Sequence, residues 1–192
     1  MALATPVRYA NLHDVELCAL SAAGDRRAFE ELVRRHGTAV RALLRRMGAD
    51  GSTADDVGQD AFIAAFEQIA EFRGEGTFTA WVRKIAARLY LRRIRKDRRL
   101  VALVADEAEP APETGPGADG KIDLDRALNT LSAVERICVS LCYGAGVSHV
   151  EAAEALNLPL GTVKSHVKRG LDKLRARLDP DSASSEARRG NG

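Results

Sequence analysis

The sequence of 192 residues holds three cysteines, Cys18, Cys138 and Cys142, an odd number without the spacing of a disulfide framework. That shortage argues against a small secreted fold held by bridges and fits a cytoplasmic protein. Long apolar runs are also missing. No stretch approaches the roughly 20 residues that span a bilayer, and the N-terminus lacks a basic region followed by an apolar core, so direct membrane insertion is not expected. No internal repeat is visible, and strand-like alternation is absent from the N-terminal part. With neither a glycine-rich phosphate loop nor a nucleophile motif, the chain is not expected to be an enzyme. No catalytic residue, metal or other cofactor is assigned.

The net charge is only +2, so no field over the whole molecule draws it to nucleic acid. The charges are nonetheless segregated. From Arg83 to Arg99 nine cations stand against the single anion Asp97, a local +8. Between Asp106 and Asp125 the sign reverses, with seven anions against Lys121, a local −6.

Residues 105–120, ADEAEPAPETGPGADG, combine Pro, Gly, Ala and acidic residues with no large apolar side chain, too little to offset the entropy of ordering. They read as a flexible acidic linker between two segments, each large enough for a helical core. In the first, Gly24 and Asp25 read as the end of one helix and the N-cap of the next. On that next helix Phe29, Leu32, Val33, Val40, Leu43, Leu44 and Met47 recur at helical spacing. Gly48 and Gly51 mark a turn. Ser52 with Asp55, or Thr53 with Asp56, then has capping-box spacing and opens a helix carrying Val57, Ala61, Phe62, Phe66 and Ile69. After the loop FRGEGTF (72–78), Phe78, Val82, Ile85 and Leu89 form an apolar stripe, with Arg88, Arg92, Arg95 and Arg99 opposite.

In the second segment Ser132 with Glu135 and Ser148 with Glu151 are capping boxes, and Gly144 and Gly146 separate the helices they open. A third helix starts near Thr162 and carries Val163, Val167, Leu171, Leu174 and Leu178 on one face. Pro180 ends the fold and SASSEARRGNG reads as a frayed tail. The expected fold class is all-α: two small helical domains joined by a flexible acidic linker, the C-terminal one a helix-turn-helix.

A short helix from about Ser148 to Leu156, a tight break and a helix from Thr162 onward have helix-turn-helix proportions, in which the second helix enters the major groove by its N-terminal end. Thr162, Lys164, Ser165, Lys168 and Arg169 lie off the apolar stripe near that end. Lys and Arg read guanine edges or neutralise phosphates. On the 78–99 helix, like charges four apart destabilise an isolated helix, so a partner is expected. Phe72, Phe78, Trp81 and Tyr90 supply aromatic surface suited to an unstacked strand; the competing account makes Phe78 and Trp81 mainly core, and for Phe78 it is the better one. Asp56, Gln59, Asp60, Ile63 and Glu67 make an acidic, partly apolar stripe suited to docking a protein, with plain solvation nearly as good an account. Cys138 and Cys142, four apart, read mainly as small buried hydrophobes. His36, His149 and His166 form no cluster in the sequence.

The run TADDVGQDAFIAAFEQIAEFRGEGTFTAWVRKIAARLYLRRIRK (53–96), an acidic linker, and LSAVERICVSLCYGAGVSHVEAAEALNLPLGTVKSHVKRGLDKLRARL (131–178) together resemble the extracytoplasmic function group of bacterial sigma factors. The resemblance implies an N-terminal domain over 10–100, a linker over 101–122, a C-terminal domain over 123–179 and a disordered tail over 180–192. It implies docking onto core RNA polymerase through Asp55, Asp56, Gln59, Asp60, Ile63 and Glu67. Arg73, Thr77, Trp81, Lys84, Arg88, Arg92 and Arg95 would engage the start-proximal promoter DNA and help open it. Thr162, Lys164, Ser165, His166, Lys168 and Arg169 would read the distal element. The linker would thread the polymerase's RNA path, and an anti-sigma factor would hold the protein inactive until a stress or envelope signal arrives.

The chain departs from the family pattern where Arg88 and Arg92 replace a common Asn and Asp, where Gly58 replaces an apolar residue, and where His166 replaces a common Arg. Two other classes stay open from the residues alone. One is a stand-alone helix-turn-helix regulator, and the other a redox or metal sensor using Cys138 and Cys142.

Overall fold

A computed structural model of the chain describes residues 8–96 and 124–178, with the backbone alone at Leu178. The acidic linker, Arg99, Pro180 and the tail lie outside the described residues. Every regular element among those described is helical. The chain divides into two compact units, one within Met1–Arg45 and Asp50–Tyr90, the other within Arg46–Ala49 and Leu91–Gly192.

The first unit holds α1 (Asp14–Ala22), α2 (Arg26–Arg46), α3 (Gly51–Glu67) and the start of α4 (Phe78–Lys96). Asp25 caps α2, its Oδ1 accepting the amides of Arg27 at 3.0 Å and Ala28 at 3.4 Å while its Oδ2 accepts the Tyr9 hydroxyl at 2.8 Å. Gly48 ends α2 with φ +105°, a conformation that favours glycine.

The start of α3 differs from both expected capping boxes. Asp50 is the N-cap, its carboxylate accepting the Thr53 amide at 2.7 Å. Gly51 is therefore the first helical residue rather than part of the turn. Ser52 and Thr53 sit inside the first turn, where their own amides are among those needing a cap.

The core of this unit joins all four helices through Leu17, Leu32, Val40, Leu44, Ala61 and Val82, each fully buried. Phe29 sits at its centre, edge-on to Phe62, Phe66 and Phe78 at centroid distances of 6.4, 5.0 and 6.5 Å. On α4 the buried face departs from the expected stripe. Phe78 and Val82 are buried, but Ile85 and Leu89 are only half-buried, while Ala86, Ala87 and Tyr90 are enclosed. Two consecutive alanines let neighbouring atoms come close to the helix backbone, which carries burial around the axis.

The second unit holds α5 (Leu124–Asn129), α6 (Ala133–Val139), α7 (His149–Leu156) and α8 (Leu160–Leu178), with a π turn over Ser140–Gly144 continuing α6. Both expected capping boxes are present, Ser132 with Glu135 and Ser148 with Glu151. Asn157, in the left-handed conformation at φ 53°, ends α7. The Pro159 carbonyl accepts the amides of Thr162 and Val163 at 2.9 and 3.1 Å, so α8 begins at Leu160, two residues before the expected start.

Val163, Val167 and Leu174 bury one face of α8, and Leu171 packs beside a cluster of Ala127, Leu128, Leu131, Val139 and Leu174. Gly170 belongs to the same face. A Cβ there would lie 2.8 Å from Val139 Cγ2, so the glycine permits a close approach of α8 to α6.

Candidate nucleic-acid interface

On α3 the six expected docking residues Asp55, Asp56, Gln59, Asp60, Ile63 and Glu67 are all exposed. At 100° per residue they share a sector of about 140°. Ile63 is 58% exposed, and Phe66, assigned by periodicity to the core, is 37% exposed within the same sector. Both rim a groove of about 450 Å³ between α2 and α3, whose lining includes Phe29, Val33, Arg41, Gly58 and Phe62. The face is therefore more apolar than the acidic pattern suggested. Its charge is also partly answered from within, because Arg41 Nε lies 3.6 Å from Asp55 Oδ1.

On α4, Trp81, Lys84, Arg88, Arg92 and Arg95 fall with Thr77 in one sector of about 80°. Arg88, Arg92 and Arg95 are exposed, whereas Lys84 and Trp81 are half-buried. Thr77 caps the helix, its Oγ1 accepting the Ala80 amide at 3.2 Å. Trp81 packs on Phe72 and Phe78 at centroid distances of 5.4 and 5.9 Å, which leaves part of the indole at the surface; Arg73, next to Phe72 in the chain, is exposed. Phe78 is 1% exposed and Tyr90 5%, so neither offers a stacking face. Tyr90 corrects the expected aromatic surface: it turns inward with the alanine side of the helix.

The expected reading residues of α8 do not form one patch. Measured around the axis, Lys164 and Lys168 lie on one flank of the buried stripe, and Thr162, His166 and Arg169 on the other, with Ser165 between them at the outward apex. The Ser165 hydroxyl donates to the Gly161 carbonyl at 2.9 Å. Asp172 occupies the next outward position and is exposed. A carboxylate there disfavours a phosphate beside it, so the outward face suits an anion better on the N-terminal side of Asp172.

Arg169 is held from two sides: its Nη2 is 3.1 Å from His166 Nδ1 and its Nε 4.0 Å from Glu135 Oε1. Glu135, only 3% exposed, was legible as a cap but not as a buried charge. Burial alone would push its carboxyl up, but Lys173 at 2.8 Å, the Ser132 amide at 3.1 Å and Arg169 hold it below the ordinary carboxylate range. The signal was the spacing of Arg169 and Lys173, four apart on one side of a glycine that faces Val139 and Glu135.

Cys138 is buried and Cys142 half-buried; burial pushes the Cys138 thiol up to about 12 and raises Cys142 as well. A protonated thiol is a poor nucleophile and a poor metal ligand. Among the described residues no three His, Cys, Asp or Glu side chains gather as a metal site, and no helix is long and apolar enough to cross a membrane.

Residues 32–100 match the Sigma-70 region 2 family and residues 127–176 the Sigma-70 region 4 family. The chain is 35% identical over 183 residues to the RNA polymerase sigma factor CnrH of Cupriavidus metallidurans, covering 86% of this chain and 94% of that protein. It is 32% identical over 165 residues to the ECF RNA polymerase sigma factor SigM of Mycobacterium tuberculosis, covering 86% and 84% of the two. Among solved structures it is similar to the sigma factor RpoE of Bartonella quintana in complex with the anti-sigma factor NepR. That likeness has a TM-score of 0.51 at 26% identity and covers 80% of this chain and 98% of that one.

Proposed function

The chain belongs to the extracytoplasmic function group of bacterial RNA polymerase sigma factors, and on that premise we propose that it joins core RNA polymerase and directs initiation at a particular set of promoters. The family comprises transcription initiation factors rather than enzymes. The α3 face docks the polymerase, with Ile63 and Phe66 giving apolar anchors inside the carboxylates Asp55, Asp56, Asp60 and Glu67. The loop before α4 and the first turns of the helix, with Arg73, Thr77, Trp81 and Lys84, engage the start-proximal element, and Arg88 and Arg92 follow the backbone of the opened strand. Arg95, by contrast, already donates to the carbonyls of Glu154 and Ala155. Opening needs no covalent chemistry from this chain, since trapping unstacked bases offsets the cost of extruding them.

The N-terminal half of α8 reads the distal element in the cytoplasm, with Lys164 and Lys168 on one wall of the groove and Thr162, His166 and Arg169 on the other. An anti-sigma factor, the kind of partner seen bound to RpoE, holds the protein inactive. The single observation that carries this reading is the relative covered over 94% of its length at 35% identity. It spans both units and the segment joining them, whereas a shared helix-turn-helix alone would leave a stand-alone regulator equally good.

The deciding experiment is capture of the full-length protein by bacterial core polymerase, comparing wild type with an Asp56→Arg, Asp60→Arg double variant. Tight capture lost in the variant supports docking through α3; failure of wild type to bind, with no inhibitor present, favours the stand-alone regulator. For the distal element, Arg169→Ala is expected to cost about 1 to 3 kcal/mol against a matched promoter if it reads a base bidentately. Equal loss on matched and scrambled elements would instead make Arg169 a phosphate contact.

A further inference from the structure

His36, on α2, joins α1 to the first turn of α4. Its Nδ1 lies 2.8 Å from Thr79 Oγ1, its Nε2 2.8 Å from Asp14 Oδ2, and its ring packs against Phe78 with centroids 5.4 Å apart. The Nε2 side has no aligned hydrogen-bond acceptor, so the contact with Asp14 is electrostatic rather than a directed bond. A carboxylate this close favours the ring proton on Nε2. Nδ1 is then left to accept the Thr79 hydroxyl.

Asp14 is itself fixed. Arg35 Nη1 approaches it at 3.1 Å, and the same guanidinium donates to the carbonyls of Leu12, Tyr9 and Ala10 at 2.8, 3.0 and 3.0 Å. This network ties the N-terminal segment to α2, and His36 extends it to α4. Asp14 precedes the segment matched to region 2, which begins at residue 32. The anchor is thus supplied by a part of the chain outside the family's matched segment.

Thr79 stands between the residues that matter on α4. Two positions before it, Thr77 caps the helix; two after it, Trp81 rests on Phe72 and Phe78. We infer that His36 is a positioning residue for promoter opening: by holding the Thr79 hydroxyl it fixes the first turn of α4, and with it Thr77 and Trp81, before any strand arrives. A turn already in place does not have to be ordered when bases are trapped, so the cost of opening falls. The inference rests on reading α4 as the start-proximal promoter contact.

The test uses holoenzyme assembled from the full chain and core polymerase, with opening followed by 2-aminopurine fluorescence on a duplex promoter and on the same promoter pre-melted. Thr79→Val keeps the shape and removes the hydroxyl; His36→Phe keeps the ring against Phe78 and removes the acceptor. Both are expected to slow opening of the duplex roughly fivefold, the size of one hydrogen bond, while Thr79→Ser stays within about twofold of wild type. On the pre-melted promoter, with equal polymerase capture, all are expected to match wild type.

Thr79→Val opening the duplex at the wild-type rate would overturn the inference. So would equal slowing on both templates, which would make the contact merely structural. Trp81→Ala separates the two levels of the claim. If it leaves duplex opening unchanged, the reading of α4 fails and takes the inference with it; if it slows opening while Thr79→Val does not, the positioning role of His36 fails alone.

Discussion

Gly58 in α3 and Gly170 in α8 are both buried in the middle of a helix, yet their surroundings are opposite. A Cβ at Gly58 would meet Arg41 Cγ at 3.5 Å and Leu44 Cδ1 at 4.0 Å, ordinary contact distances. At Gly170 it would meet Val139 Cγ2 at 2.8 Å. The first glycine leaves a groove between helices and the second lets helices touch. The two helices are correspondingly suited to different work. An open groove rimmed by Ile63 and Phe66 can receive a protein side chain, whereas the Gly170 contact fixes the placement of Arg169 and Lys173 around Glu135.

The largest effect expected from breaking this contrast is at Gly170. Gly170→Val forces two branches into Val139 and Leu131, and overpacking of this kind costs about 1 to 3 kcal/mol. Urea unfolding of the full chain, followed by circular dichroism, should show an earlier transition. An unchanged midpoint would mean that α6 and α8 can part without loss.

Caps give the next effect. Asp50→Ala in the first unit and Ser132→Ala in the second should each cost about 1 kcal/mol, because each deletes an acceptor for an otherwise orphaned amide. Ser52→Ala, inside the first turn of α3, should change stability by less than about 0.5 kcal/mol. A larger loss at Ser52 than at Asp50 would restore the capping box expected from sequence.

Gly58→Ala should act in the opposite sense to Gly170→Val. Helix propensity favours Ala by about 1 kcal/mol, and the methyl has room, so the transition should move later by up to that amount. Destabilisation would show that Arg41 cannot move aside. The sequence already marked Gly58 as unusual for its helix but said nothing of Gly170, whose neighbours come from α6 and from Leu131 just before it.

The same division runs through the rest of the molecule. Helix identity, the cap at Asp25, both serine capping boxes and the exposed cations of α4 were legible, because each depends on residues a few positions apart. The exposure of Phe66 and the burial of Tyr90 were not, since periodicity fixes a helical face but not which neighbour covers it. His36 was set aside for want of a nearby partner in the sequence. Thr79 is 43 residues away and on another helix.

Glu31 and Glu135 extend the comparison of the two units to acid. At Glu31, hydrogen bonds from Arg34 first and Arg35 second, at 2.7 and 2.8 Å, hold the carboxyl down to about 2. In an unfolded chain a glutamate titrates near ~4.3. A carboxyl depressed in the folded state contributes stability that is fully present above the unfolded value and is lost as pH falls through the folded one. The Glu31 contribution therefore fades between about pH 4.3 and pH 2. Glu135 is lowered too, but there burial opposes Lys173, so charge and desolvation compete where at Glu31 the two arginines prevail. Carboxyl carbon shifts followed by NMR down to about pH 2 should show Glu31 still ionised where exposed glutamates have already protonated. If Glu31 instead titrates near ~4.3, Arg34 and Arg35 are turned to solvent. Because Arg35 also holds Asp14 and the carbonyls of residues 9, 10 and 12, that outcome would loosen the whole N-terminal network and with it the support for His36.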